Sequence, residues 1–113
     1  MAKGDVNDPF YYQITDGSSA VPIEQCSVAT VTSVASSATS VTLLAASARR
    51  GATIYNDSTQ VLYMKFGITA SNTSYTVQLA SGDYWEMPYP IYTGRIDGIW
   101  ASANGNARIT ELT

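Results

Sequence analysis

The sequence predicts an all-β fold, and three observations carry that prediction. From Cys26 onward, short runs rich in Val, Ile, Thr and aromatic residues recur about every 8–12 residues between clusters of Gly, Asn, Asp, Ser and Pro. Several of these runs alternate apolar and polar side chains with the two-residue period of a strand, and none keeps helical spacing for more than one turn. At 113 residues the chain is long enough for one cored domain and too short for two. About eight short antiparallel strands in this length favour a β-sandwich or jelly roll over a closed barrel, with the strand order left open.

Charge divides the chain into an extended acidic N-terminal arm, residues 1–25, and a β-sandwich body, residues 26–113. The arm holds Lys3 against Asp5, Asp8, Asp16 and Glu24, and the charges of the body cancel, so the whole net charge of −3 lies in the first quarter. Pro9, Pro22, Gly4 and Gly17 interrupt the arm, which sustains neither a strand nor a helix period.

The strands of the body follow in order. Val28, Thr30, Thr32 and Val34 lie in the first, Ser40–Ala45 form the second and Ala52–Asn56 the third. Asp57-Ser58-Thr59 then reads as a short hairpin turn into a fourth strand, in which Leu62, Met64 and Phe66 face the core and Val61, Tyr63 and Lys65 face away. In the fifth, Tyr75, Val77 and Leu79 alternate with Ser74, Thr76 and Gln78. Ala80-Ser81-Gly82 turns the chain into Asp83–Met87, which Pro88 and Pro90 terminate because neither can donate to a ladder. Gly94–Ala101 and Ala107–Leu112 close the body, with Ser102–Asn106 read as a hairpin loop between them. The expected core includes Leu62, Met64, Phe66, Val77, Leu79 and Ile109, and Lys65, Thr76 and Gln78 are expected outside it.

Composition argues against most chemistry. The absence of His removes Ser-His-Asp and Cys-His nucleophile systems together with the commonest transition-metal ligand. Cys26 has no Lys or Arg nearby in sequence to lower its pKa, and reads as a small buried apolar residue. Asp83 and Glu86, three apart in a strand, leave on opposite faces and make no glycosidase pair. Asp97 beside Arg95 reads as half of a surface ion pair. Gly94–Gly98 opens a strand and not a helix, which removes a phosphate loop, and Asn104-Gly105-Asn106 lacks the carboxylates of a calcium loop. No catalytic residue, cofactor or metal site is expected. With no basic stripe, nucleic acid is not an expected partner. Nor is a membrane: the charge-free stretch Cys26–Ala48 is long enough to span one, but 10 of its 23 residues are Ser or Thr. Met1–Asp5 shows no apolar leader segment, and Asn56-Asp57-Ser58 and Asn72-Thr73-Ser74 read as turns, so synthesis in a host cytoplasm is expected.

What remains is adhesive surface. Ser and Thr supply 26 residues and charged residues only 13%, so the exterior is neutral and hydroxyl-rich. Phe10, Tyr11 and Tyr12 are three adjacent aromatics suited to docking the arm on a neighbouring subunit. Arg49 and Arg50, just before Gly51, read either as a solvated turn or as a grip on a neighbour's carboxylates. Tyr84, Trp85, Tyr89 and Tyr92 form one dense aromatic group; they suit either a glycan-binding shelf or a structural arrangement in which a ring is buried and Tyr89 and Tyr92 make subunit contacts.

The runs VTSVASSATSVTLLAASARRGATIYNDSTQVLYMKFG, TSYTVQLASGDYWEMP and GRIDGIWASANGNARITEL, about residues 28–113, resemble a small β-rich module of virion structural proteins in tailed bacteriophages. The likeness lies in strands and turns, not in catalytic residues, and does not extend to the arm. It implies a head decoration (cement) protein that binds the major capsid protein or other virion proteins on the capsid surface, as a homo-oligomer with a trimer favoured. The alternatives are a tail, baseplate or head-fibre subunit, and a glycan-binding module displayed on the virion.

Overall fold

Strand-forming side chains at two-residue spacing give a sheet one apolar face, and two such faces must close on each other to leave water. The computed structural model describes residues 25–113 and shows that arrangement. Its strands are β1 (Ala29–Ala35), β2 (Val41–Leu44), β3 (Gly51–Asp57), β4 (Leu62–Phe66), β5 (Val77–Leu79), β6 (Tyr84–Glu86), β7 (Ile96–Trp100) and β8 (Asn106–Leu112). They build two antiparallel four-stranded sheets, ordered β1-β8-β3-β6 and β2-β7-β4-β5. First pairs with last, second with seventh, third with sixth and fourth with fifth. That is a long antiparallel ribbon doubled at the β4–β5 connection and rolled into a sandwich, the strand order of a jelly roll.

The core lies between the sheets. Ile54 pairs with Ile109 and Trp85, Leu62 with Leu79 and Trp100, and Met64 with Val77 and Gly98. Leu62, Met64, Leu79 and Ile109 are buried as expected, while Phe66 and Val77 are half-buried against them. Gly98 is needed for close approach, since a Cβ there would lie 2.7 Å from Leu43 Cδ1 and 2.9 Å from Leu62 Cδ1. Thr76 and Gln78 are exposed. Lys65 is half-buried, its ammonium donating to Ser74 Oγ at 2.8 Å and Thr69 O at 3.4 Å in the β4–β5 connection.

Both expected hairpins are corrected. β3 and β4 lie in different sheets, as do β7 and β8, so Asp57–Thr59 and Ser102–Asn106 carry the chain across the sandwich. The reason is visible at Asn56, whose fully buried amide donates to Gln60 O (2.7 Å), Leu79 O (2.9 Å) and Ala80 O (3.2 Å). Its carbonyl accepts from Ser58 Oγ at 2.8 Å and Trp100 Nε1 at 3.2 Å. These bonds reach groups of both sheets and hold a corner in place of a two-strand turn. At the second corner Ser36 Oγ accepts from the Asn104 and Gly105 amides at 2.7 and 2.9 Å.

Candidate interaction surface

The adjacent arginines diverge. Arg49, expected at the surface, is buried, with its side chain wholly inaccessible. Its guanidinium donates to Glu111 Oε2 (2.9 Å) and to the carbonyls of Ala45 (2.6 Å), Tyr92 (2.5 Å) and Gly94 (3.1 Å). It therefore clamps the β2–β3 and β6–β7 connections to β8, and cannot grip a neighbour's carboxylate. Partial desolvation pushes the Glu111 carboxyl up, but hydrogen bonds from Arg49 and Ser47 and the Arg49 charge outweigh this and hold it below the ordinary glutamate range. Arg50 is exposed and donates to Gln25 O. Asp97 has Arg95 as its partner, at 2.7 Å, yet is 1% exposed, so the expected surface pair has a buried acid. Cys26, expected to be buried, is exposed.

The aromatic group also divides. Tyr92 stacks on Phe66 with centroids 4.6 Å apart and planes 4° apart, and Trp85 meets the same ring edge-on at 5.8 Å. Tyr84 and Tyr89 point to solvent, Tyr89 at 86% exposure. A single four-ring shelf is not formed. Phe10, Tyr11 and Tyr12 lie outside the described residues.

The structure assembles a different surface on the outer face of the β1-β8-β3-β6 sheet. Register places Ser33, Arg108, Tyr55 and Tyr84 in one row across the four strands, and Val31, Thr110, Thr53 and Glu86 in the next. Tyr55, Tyr84 and Val31 are exposed. Arg108 is paired with Asp57 at 2.8 Å, and Tyr84 Oη donates to Glu86 at 3.2 Å. Local desolvation, and then Glu86, hold the Tyr84 phenol above its ordinary value, so it remains a donor. With two exposed tyrosines among hydroxyls and the charge of Arg108 offset by Asp57, this face has the composition of a protein contact.

The face runs into the edge of β1, which has no strand on its outer side among the described residues. Thr113 N donates to Val28 O, and Ser36 N to Gly105 O, both at 2.9 Å. Antiparallel alternation between these bonds turns Val28, Thr30, Thr32, Val34 and Ser36 towards β8 and leaves the amides and carbonyls of Ala29, Val31, Ser33 and Ala35 facing outwards. Every residue of β1 except the half-buried Val34 is exposed, and Val31 reaches 71%. The other three edges are blunted: β5 and β6 have three residues each, Pro88 follows β6, and β2 has an irregular register at Thr42–Leu44. β1 has seven residues in unbroken register and no charge, proline or bulge.

The sequence reading did not find Tyr55 or this edge. The signals are the alternation of Tyr55 with Ile54, and the absence of charge from the first predicted strand and the residues around it. A shallow hollow of about 310 Å³ on the opposite sheet, lined in part by Tyr63, Ile99 and Asn72, holds no charged side chain among the residues that line it.

No protein-family model matches the chain, and no curated protein or solved structure shows significant similarity to it. Among the described residues no helix is long and apolar enough to cross a membrane.

Proposed function

We propose that this protein is a non-enzymatic structural subunit of a tailed-phage virion, a decoration protein that binds the head shell and stabilises it. The observation that carries the reading is the β1 edge. A seven-residue uncharged edge strand, with no strand on its outer side among the described residues, is a hazard for a protein that works alone and an asset for one that works in contact with others. The adjoining Tyr55 and Tyr84 face supplies aromatic anchors beside the paired Arg108 and Asp57 and the tyrosine-bonded Glu86. The likeness of residues 28–113 to phage virion modules supplies the setting, and a symmetric homo-oligomer, a trimer foremost, suits the symmetry axes of a shell.

Quantitative mass spectrometry of gradient-purified virions from the phage encoding this chain tests the reading. A decoration protein is present in copy numbers comparable to the major capsid protein. A few copies per particle would move it to a tail, baseplate or fibre, and absence from the particle would overturn the virion assignment.

A further inference from the structure

We propose that the open edge of β1 is filled by residues 10–15 of a neighbouring copy, which add a fifth strand to the β1-β8-β3-β6 sheet. The inference deepens the assembly reading by naming the partner at that edge.

The edge states what it needs: a short uncharged strand, able to meet the outward backbone groups of Ala29, Val31, Ser33 and Ala35, with apolar side chains for the seam between the sheets. That seam is incompletely closed beside β1. Val28 shares the inward face with Val34, yet is 53% exposed.

Phe10-Tyr11-Tyr12-Gln13-Ile14-Thr15 meets the requirement. Phe10, Tyr12 and Ile14 alternate with Tyr11, Gln13 and Thr15, all six carry no charge, and Asp8 and Asp16 bracket them. Six residues are too few for periodicity alone to identify a strand, so the match becomes visible only once the edge is known.

The length of the link selects the source. Residues 16–28 separate the segment from β1, whereas a hairpin returning to its own strand uses about 2–5 residues. Val21-Pro22 favours extended backbone in that link, and thirteen extended residues reach about 40 Å, well past the roughly 23 Å length of β1 itself. A link of this length can reach a neighbouring copy, and exchange of one element among identical copies is a low-cost route to a closed oligomer.

The test uses the full chain in solution, with no phage particle present, and reads its mass by sedimentation equilibrium and its amide exchange by NMR. The expected result is an oligomer in which the Ala29, Val31, Ser33 and Ala35 amides are protected. Replacing Phe10, Tyr12 and Ile14 together by Asp should give a monomer in which those four amides exchange at least about tenfold faster while β3 and β8 are unchanged. Val31→Pro gives a second route to the monomer, because it removes only an outward-facing amide and spares the β1–β8 ladder. Adding unlabelled full chain to the labelled triple variant should restore protection to the labelled β1.

A monomeric full chain with fast edge amides overturns the proposal and leaves the virion reading standing, with a shell protein as occupant. Protection in a monomer, or an oligomer whose intact arms do not rescue the variant, also overturns it, by assigning the edge to the chain's own arm or to another contact.

Discussion

Replacing Arg49 by Ala should be among the most destabilising single changes in the body. The guanidinium has no exposed surface and four acceptors within 3.1 Å, three of them carbonyls in the connections that flank β2 and β7. Removing one partner of a buried ion pair costs about 3–5 kcal/mol. Glu111 is 20% exposed and keeps its bond from Ser47 at 2.8 Å, so water can recover part of its share, which puts the loss at about 3–4 kcal/mol. At about 4–8 °C per kcal/mol for a domain of this size, the thermal midpoint should fall by about 12–30 °C. Arg49→Lys should lose about half as much, because one ammonium has three donors and no planar fork to span four acceptors. Urea titration of wild type, Arg49→Ala, Arg49→Lys and Arg50→Ala measures all of this in one series, with Arg50→Ala within about 1 kcal/mol of wild type. A loss below about 1 kcal/mol for Arg49→Ala, the range of a surface pair, would refute the clamp.

Further outcomes follow from the same geometry. Leu79→Ala should cost about 2–5 kcal/mol by urea titration, since its side chain is buried between the sheets opposite Leu62, and a loss under about 0.5 kcal/mol would place it on the wrong face. Because Glu111 has a folded pKa below its unfolded one, its contribution is fully present above the ordinary glutamate pKa of about 4.3 and is lost as pH falls through the folded value. Glu111→Gln should therefore lower stability at pH 7 and flatten its decline in acid, as seen in urea midpoints on either side of that pKa. Tyr55→Ala and Tyr84→Ala should leave the thermal midpoint within a few degrees yet weaken binding to shells lacking the protein by at least about tenfold together, measured by co-sedimentation.

The eight strands were legible because alternation and turn residues are local signals, and a two-residue period also assigns faces: Leu62 and Met64 inwards, Gln78 outwards. What local signals do not contain is the destination of the next strand. Asp57-Ser58-Thr59 says that the chain turns; the buried Asn56 amide, bonded to Leu79 O, 23 residues on, and to Trp100, 44 residues on, decides that it turns into the other sheet. The same distance hid Arg49. Beside Arg50 in sequence it looked like surface, but its carboxylate is 62 residues away and its carbonyls at Tyr92 and Gly94 are 43 and 45 away. The candidate surface escaped the sequence for a related reason: Tyr55, Tyr84, Arg108 and Ser33 become neighbours only through the strand order, and β1 becomes an edge only when β8 is seen to have taken its other side.

Imaging of the assembled phage particle at side-chain resolution tests most directly whether the protein acts through these contacts. The eight-stranded domain should sit in many symmetry-related copies on the head shell, with the outward side of β1 paired to a strand and Tyr55 and Tyr84 buried against neighbouring protein. A domain found on the particle with that edge and that face both open to solvent, or no such domain on the particle at all, would contradict it.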